Sequence, residues 1–497
     1  MREVHSLEDV FIQNYDAAVG HGAYCELTLK WRAELAYKQN IERQVQGMRN
    51  FVGDWHATAG QGEHDGVSQI AQCCNCMCDC STRVSAICEH GLSMRIVGLL
   101  VVCVIVICFR LYFTDVPVQW RQAVPRKLPM RPSFSLGIEE EYQTIDPITR
   151  DLRSHIQTEM LAQGKMRLQE RVKAEMHTSV VEVGTRVCCN IDEAREDIYD
   201  LRREMIRLAA EHNLRLVAGA THPFADWRTQ EIYPDPRYHQ VVKDLQLVAR
   251  SNLIFGLHVH VGIEDHEAAI RIMNSMRYFL PHIMALATNS PFWLGLNTGY
   301  KGYRAKVFEN FPRTGIPDAF SSYSEFENYV GLLVRTNCID NAKKIWWDIR
   351  PHPFFNTVEV RACDIPLRAE ETVAIAALIQ ATAAYLYRLH EANQDFRHYT
   401  RSLIAENKFR AVRYGLDGKL IDFGKQQEVP LRDLIEEYLA MIDPLVDELG
   451  SRKAIEGIRT ILKTGTGADR QLRVFEESNG DLKAVVDYMA AETAAGL

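Results

Sequence analysis

Apolar and charged residues alternate with the two-residue period of a β-strand in four segments of the chain. The segments are 134–143, 179–185, 256–262 and 357–363. In each segment one face is apolar, and the other face carries charged or imidazole side chains: Glu139 and Glu141, Glu182, His258 and His260, and Glu359 and Arg361. The first segment by itself fits a solvated edge strand equally well, but the recurrence of the pattern favours four strands of one sheet.

Helical periodicity fills the segments between and after these strands. Asn190 is a typical N-cap residue and Glu193 stands at the capping-box position, so a helix is predicted to start there. A second helical stretch, 266–289, is expected to break at Pro281. The C-terminal third predicts helices over 370–393, 401–413, 431–448 and 452–463. Together these elements predict an α+β fold in which helices pack on one face of an antiparallel sheet and further helices follow.

The first 95 residues differ from the rest of the chain, because they show no sustained period and are rich in cysteine. Nine of the 13 cysteines precede residue 130: Cys25, Cys73, Cys74, Cys76, Cys78, Cys80, Cys88, Cys103 and Cys108. We interpret residues 1–95 as a low-order, Cys-rich extension. The alternating cysteines of 73–80 lack the paired CxxC spacing of structural zinc sites, although metal binding by so dense a tract stays open.

An apolar segment follows at 96–113, interrupted only near its end by Arg110. It is short for a membrane-spanning helix, which needs roughly 20 apolar residues, so its role as a membrane anchor stays open. Residues 114–131 hold three prolines, with Pro132 directly after them, and predict a linker. Since Met130 stands just before the first patterned strand, we hypothesise that the working protein begins near Met130, with a catalytic domain over 132–497.

The composition excludes some classes of function. Hydrophobic residues make up 47% and charged residues 25% of the chain, as in soluble globular proteins. A net charge of -8, without a dominance of Lys and Arg, argues against nucleic-acid binding. The four cysteines beyond residue 130 form no disulfide framework and suit a reducing cytoplasm. We therefore predict a cytoplasmic protein, with membrane association through 96–113 as the alternative.

Carboxylates gathered on one open sheet face repel one another, and divalent cations are their natural partners. Mg²⁺ prefers oxygen ligands and often completes its coordination with substrate phosphates, which indicates a nucleotide. The chain has neither a GxxxxGKS/T loop nor a GxGxxG turn between a strand and a helix, so a P-loop or Rossmann enzyme is not expected. Arginines such as Arg304, Arg313 and Arg361 would help to bind the phosphates, although each of them singly also fits a surface salt bridge.

Four motifs, in this order, give a specific resemblance: GIEEEYQ, VVEVGT, GLHVHVGI and VEVRACDIP. With the loop YRAKVFENFPRTGIPDAF and the later segment ENKFRAVRYGLDGKLIDF, the chain from about residue 132 to the C-terminus resembles the carboxylate-amine ligase family. This family is also called glutamate-cysteine ligase type 2, or the YbdK-like group. The resemblance implies a glutamine-synthetase-like sheet and an ATP- and Mg²⁺-dependent ligase. In its best-known form, such an enzyme makes γ-glutamylcysteine from glutamate and cysteine through an acyl phosphate.

The resemblance also assigns roles to individual residues. It implies the metal ligands Glu139, Glu141, Glu182, His258 and Glu359. It implies that Arg361 and Glu359 are catalytic, and that substrate or nucleotide is bound by His260, Arg304, Arg313 and Arg361. The expected partners are a small amino acid carboxylate and an amine, and a homo-oligomer is expected. Two alternatives stay open: a ligase for another acid and amine, and a non-catalytic, membrane-associated protein that binds nucleotide for regulation.

Overall fold

A seven-stranded antiparallel sheet lies at the centre of the residues that the computed structural model describes, 132–155 and 159–497. Its strands are β1 (Leu136–Ile145), β2 (Val172–Ala174), β3 (Val180–Gly184), β4 (Arg215–Val217), β5 (Gly256–Gly262), β6 (Ile349–Pro351) and β7 (Thr357–Asp364). The order across the sheet is β6, β7, β5, β1, β3 and β2, and β4 pairs with the end of β1. All four patterned strands predicted from the sequence are thus present and are neighbours.

Helices account for most of the other described residues. They are α1 (Met160–Leu168), α2 (Ile191–Glu211), α3 (Pro236–Leu245), α4 (Leu247–Arg250), α5 (His266–Met276), α6 (Leu280–Ala287), α7 (Tyr303–Phe308), α8 (Tyr323–Arg335), α9 (Ala369–Glu391), α10 (Arg401–Tyr414), α11 (Leu431–Val446), α12 (Arg452–Thr464), α13 (Gly467–Glu477) and α14 (Leu482–Ala494). Three two-stranded sheets lie outside the main one: Lys419–Asp422 with Gln427–Pro430, Phe292–Trp293 with Leu296–Asn297, and Thr314–Gly315 with Trp346–Trp347.

The helix boundaries follow local chemistry that the sequence makes visible. The Asn190 side chain accepts a hydrogen bond from the Glu193 backbone N–H at 2.9 Å and so caps α2, as predicted. The predicted break within 266–289 is confirmed, since α5 ends at Met276 and α6 begins at Leu280 with proline in its first turn. The helices predicted in the C-terminal third are also present, and α13 and α14 follow them.

The hydrophobic core lies between one face of the sheet and the helices packed on it. Apolar residues of β1, β5 and β7 share this core with α2, α5, α6 and α9. Helix α9 is, among the described residues, the one helix long and apolar enough to cross a membrane, and 83% of its most apolar window is buried inside the protein. Burial on this scale is typical of the core helix of a globular fold. The predicted α+β architecture, with helices on one face of an antiparallel sheet, is confirmed.

The middle glutamate of the first strand departs from the simple picture of an apolar core face. Glu140 is fully buried, and its Oε1 accepts hydrogen bonds from Arg202 Nη2 at 2.5 Å and from Thr372 Oγ1 at 2.7 Å. Arg202 is equally buried and also donates to the carbonyl of Leu367 at 2.7 Å. The pair therefore joins β1 to α2, to α9 and to the segment that follows β7.

The sequence-based predictions for residues 1–131 lie outside the described residues. They comprise the Cys-rich extension 1–95 with its open question of metal binding, the apolar segment 96–113, the linker 114–131 and the start near Met130. These remain predictions. The described residues all belong to one compact unit of the chain.

Three buried histidines predict a loss of stability in acid. Burial lowers the pKa values of His177, His222 and His282 to about 4, whereas an unfolded chain has values of about 6.5. The unfolded state therefore binds more protons, and their contribution to stability is present above pH 6.5 and is lost as the pH falls towards 4. These three histidines by themselves are expected to lower the free energy of unfolding by about 5 kcal/mol between pH 7 and pH 5.

Urea unfolding at the two pH values measures this effect, with His282→Gln as the comparison. The loss of stability between pH 7 and pH 5 is expected to be smaller in the variant by about 2 kcal/mol, the share of one buried histidine. A variant whose stability depends on pH in the same way as that of the wild type would contradict the assignment.

Candidate active site

The register of the sheet brings the charged faces of the predicted strands together. Glu139 on β1 lies directly opposite His258 on β5, and Glu141 lies opposite Glu182 on β3. Glu359 on β7 lies opposite His260. Because directly opposed residues point to the same side of a sheet, these side chains converge on the face away from the helices. The predicted gathering of carboxylates and imidazoles is therefore present.

Two groups of possible metal ligands stand side by side on this face. The acid cluster consists of Glu141, Glu175 and Glu182, and the histidine cluster consists of Glu139, His258 and Glu359. In each cluster the potential ligand atoms all lie within 4.8 Å of one another. The resemblance implied five metal ligands, four carboxylates and one imidazole, and each of the five belongs to one or the other cluster.

His258 lies between the two clusters. Its Nδ1 is 3.3 Å from Glu139 Oε2, and its Nε2 is 3.9 Å from Glu141 Oε1. Burial and the positive charge of Arg361 lower the pKa of His258, so the neutral imidazole is favoured. His260 is farther from the carboxylates, with its Nε2 4.0 Å from both Glu139 Oε2 and Glu359 Oε1.

Sequence reasoning missed Lys173 and Glu175, which lie at the acid cluster. Lys173 donates to Glu182 Oε1 at 2.9 Å and to Glu139 Oε1 at 3.4 Å, and so lies between the clusters. Glu175 completes the acid cluster from the residue just after β2. The signal was the alternation of Val172, Lys173, Ala174 and Glu175, a strand pattern too short to stand out on its own.

Like charges dominate the acid cluster. Burial raises the pKa of Glu182 well above its usual range, and the carboxylates of Glu139 and Glu175 raise it further. Burial, together with Glu141, raises the pKa of Glu175 to about 7. Burial alone would lower the pKa of Lys173, but the carboxylates of Glu182 and Glu139 raise it above its usual value. Lys173 contacts Glu182, and the positive charge of Arg237 acts on Glu175. These two cations do not neutralise three carboxylates, so the acid cluster has the electrostatic character of a cation site.

Glu359 has a different environment, because two arginines hold its carboxylate. Arg350 Nε donates to Glu359 Oε2 at 2.8 Å, and Arg361 Nη1 donates to Oε1. Burial alone would raise the pKa of Glu359, but Arg361 and Arg350 hold it well below its usual range. The histidine cluster therefore carries positive charge beside its carboxylates. Arg350, which the sequence did not single out, lies beside this cluster and contacts Glu359.

Arg304, on helix α7, lies against the backbone of β7 at Arg361 and Ala362. It is 3% exposed, and its guanidinium makes only long contacts of 3.4 and 3.5 Å to the carbonyl oxygens of Arg361 and Ala362. Neither Arg304 Nε nor Arg361 Nε has a hydrogen-bond partner within the described part of the chain. Buried donors without partners are costly, so each of these arginines is a candidate to bind an anionic ligand.

Arg313 does not join this group through any contact among the described residues. It lies over the ring of Trp346, 5.5 Å from the centroid, and its Nε donates to the carbonyl of Lys344 at 2.9 Å. Trp346 packs against a small apolar cluster that includes Met176, the neighbour of Glu175. Among the described residues Arg313 makes no hydrogen bond or ion pair with the acid cluster, and its role in binding substrate stays a prediction.

The donor atoms of the two clusters fit divalent cations. Three carboxylates of the acid cluster supply the oxygen ligands that Mg²⁺ and Mn²⁺ prefer. The histidine cluster adds an imidazole nitrogen to two carboxylates. Both donor sets are compatible with the predicted Mg²⁺.

Comparison with known proteins agrees with the resemblance seen in the motifs. The family model of glutamate-cysteine ligase family 2 matches residues 135–488. A protein of Solibacter usitatus, provisionally named glutamate–cysteine ligase 2, is 67% identical over 368 residues, which cover 74% of this chain and 95% of the relative. A protein of Chloroflexus aurantiacus with the same provisional name is 57% identical over 365 residues, which cover 73% of this chain and 93% of the relative.

Two solved structures share the fold at low sequence identity. A bifunctional glutathione synthetase from Pasteurella multocida has a TM-score of 0.54 and 13% identity, covering 73% of this chain and 52% of that one. A glutamate–cysteine ligase from Francisella tularensis, solved in complex with AMP, has a TM-score of 0.53 and 12% identity, covering 73% of this chain and 89% of that one. The predicted glutamine-synthetase-like fold and the predicted family are confirmed: the chain belongs to glutamate-cysteine ligase family 2.

Proposed function

We propose that this protein is an ATP-dependent carboxylate-amine ligase that joins the γ-carboxylate of glutamate to the amine of cysteine. The observation that carries the proposal is the pair of adjoining clusters, three carboxylates in one and two carboxylates with an imidazole in the other, on the open face of the sheet. Membership of the family adds support, as do the names of the relatives. The second candidate is the same chemistry with another acid or amine.

The reaction needs two displacements. A carboxylate oxygen attacks the γ-phosphorus of ATP, ADP leaves, and an acyl phosphate forms. The nitrogen of the deprotonated amine then attacks the carbonyl carbon, and phosphate leaves as the amide bond forms. Catalysis of the first step is mostly positioning and neutralisation of charge on the phosphoryl oxygens, so no Ser or Cys nucleophile is required.

We assign the residues of the site as follows. The acid cluster and the histidine cluster would each hold a Mg²⁺ ion, so Glu175 joins the five metal ligands predicted from the sequence. Bound Mg²⁺ would neutralise the phosphate charges and orient the nucleotide. Arg361, held by Glu359, would bind the transferred phosphoryl group, and buried Arg304 beside it would bind an anionic group of the nucleotide or of the acid. His260 would contact the nucleotide, and Arg313 would help to bind substrate or nucleotide.

The other parts of the functional assignment are proposals of the same kind. The substrates are small molecules, and a cytoplasmic location is supported by the four free cysteines of the described residues: Cys188, Cys189, Cys338 and Cys363. We keep the expectation of a homo-oligomer, which sedimentation of the purified protein would test.

The purified protein incubated with Mg-ATP and pairs of amino acids tests the proposal through the release of ADP. We expect ADP release to require glutamate and cysteine together and a dipeptide of the corresponding mass to form. ADP release that requires a different acid or amine would keep the mechanism and identify the second candidate. Binding of Mg-ATP without turnover for any pair would favour the regulatory alternative and contradict the proposal.

A further inference from the structure

Two large aromatic side chains are exposed beside the histidine cluster, at the tip of the hairpin that joins β6 to β7. Phe354 is 61% exposed and Phe355 is 62% exposed. The ring of Phe355 stacks on the ring of His352 at 4.4 Å between centroids and 9° between planes. Scattered apolar residues are common on surfaces, but adjacent exposed rings next to a polar site are typical of an interaction site.

The tip is held in place by its own hydrogen bonds. The backbone N–H groups of Phe355 and Phe354 both donate to His352 Nδ1, at 3.0 and 3.3 Å. Thr357 N donates to the Phe355 carbonyl at 2.8 Å, and His352 N donates to the Thr357 carbonyl at 2.9 Å. The strands below pair in register, with Arg350 opposite Glu359. The exposed rings are therefore fixed relative to the carboxylate of Glu359, and a ligand that stacks on them would meet a pre-organised surface.

A chain of ring contacts connects this tip with the histidine cluster. The His260 ring lies 5.3 Å from the His352 ring and 6.4 Å from the Phe355 ring, between centroids. His260 Nε2 is in turn 4.0 Å from Glu359 Oε1. When the phosphate end of a ligand lies at the carboxylates and arginines, the part of the ligand on the side of His260 would therefore meet an exposed aromatic surface.

We propose that His352 and Phe355, together with Phe354, form the platform on which the base of the nucleotide stacks. This inference rests on the proposed function, since it requires that a nucleoside triphosphate binds at the clusters. The flat π-face of a purine fits a stacked aromatic pair, and such contacts accept any base, so the platform gives affinity more than selectivity between bases. The Lys343 ammonium, 4.9 Å from the centroid of the Phe354 ring, adds positive charge next to the platform.

Calorimetric titration of Phe355→Ala with two ligands tests the platform. Mg-ATP carries a base, and Mg-tripolyphosphate carries a comparable charge without one. We expect Phe355→Ala to weaken Mg-ATP binding at least about fivefold and to leave Mg-tripolyphosphate binding unchanged, because only the stacked base is lost. Phe355→Trp should bind Mg-ATP like the wild type, since it keeps a stacking ring. In turnover, the KM for ATP should rise while kcat and the KM values of the other substrates stay the same.

Phe409→Ala is the matched control, because Phe409 is also an exposed ring, 38% exposed, on helix α10 away from the hairpin. It should bind both ligands normally. Unchanged Mg-ATP binding by Phe355→Ala and by the Phe354→Ala, Phe355→Ala double variant would overturn the platform. Equal weakening of both ligands would do so too, because the hairpin would then support the cation site rather than the base.

Sedimentation of the same variants tests whether the exposed rings instead contact a second copy of the chain. An oligomer that dissociates in the double variant, with Mg-ATP binding intact, would make the rings a subunit contact and contradict the inference. A wild-type protein that binds Mg-tripolyphosphate but no nucleotide would overturn the proposed function and the platform together. If the wild type binds Mg-ATP and the Phe355→Ala variant binds it equally well, only the platform would be overturned.

Discussion

Replacing Glu140 with glutamine is expected to lower the free energy of unfolding by about 3 to 5 kcal/mol, because it leaves the charge of Arg202 buried without its partner. Both side chains are fully buried, and Arg202 Nε and Nη2 lie 3.0 and 2.5 Å from the two Glu140 oxygens. Glutamine replaces one acceptor oxygen with an N–H donor that faces the guanidinium. Urea unfolding followed by circular dichroism measures the loss.

The neighbouring glutamates provide matched controls for this prediction. Glu139→Gln and Glu141→Gln make the same change one residue away, on the open face of the sheet, and should alter stability by about 1 kcal/mol or less. A double variant, Glu140→Leu with Arg202→Met, should recover much of the stability, because a buried ion pair can be replaced by apolar side chains of similar volume. A Glu140→Gln protein as stable as the two controls would show that the pair does not hold the strand.

The contrast among these three glutamates shows what the sequence could and could not reveal. Alternation placed Glu139 and Glu141 on the polar face correctly, since side-chain direction in a strand depends only on parity. The same rule places Glu140 on the apolar face, where it needs a buried cation. Its partner Arg202 is 62 residues away on α2, within a helical pattern that looks like any amphipathic helix. The pairing depends on the packing of helix on sheet, which no local pattern specifies.

The lengths of the strands explain which other site residues the sequence predicted and which it missed. Each patterned strand carried enough alternation to be found alone, and charge complementarity favoured their meeting on one face. Lys173 and Glu175 belong to a strand of three residues, β2, whose pairing with β3 is what places them at the site. Arg350 likewise lies on a three-residue strand and reaches Glu359 through the hairpin. Very short edge strands give too few alternating positions for prediction from sequence.

A second large effect is expected for Glu182→Gln, which removes one carboxylate from the acid cluster without changing its shape. If this cluster holds a divalent cation, the change should lower ligase turnover by about 100-fold, as expected for loss of a ligand at a phosphoryl-transfer site. Without divalent cations the variant should be more stable than the wild type. The reason is that the carboxylate of Glu182 is buried next to those of Glu139 and Glu175: burial raises its pKa, and the repulsion from these neighbours raises it further.

Thermal unfolding with and without Mg²⁺ separates this explanation from a structural one. A ligand that binds only the folded state stabilises it by about 2.7 kcal/mol at 100 times its Kd, so saturating Mg²⁺ should raise the Tm of the wild type. It should raise the Tm of Glu182→Gln much less. The surface variant Glu204→Gln, on α2, should respond like the wild type. A Glu182→Gln protein with full turnover and a wild-type response to Mg²⁺ would remove Glu182 from the metal ligands. Opposite changes in stability and turnover at one residue are what a cation site of packed carboxylates requires, since the repulsion that weakens the metal-free fold is the same charge that binds the ion.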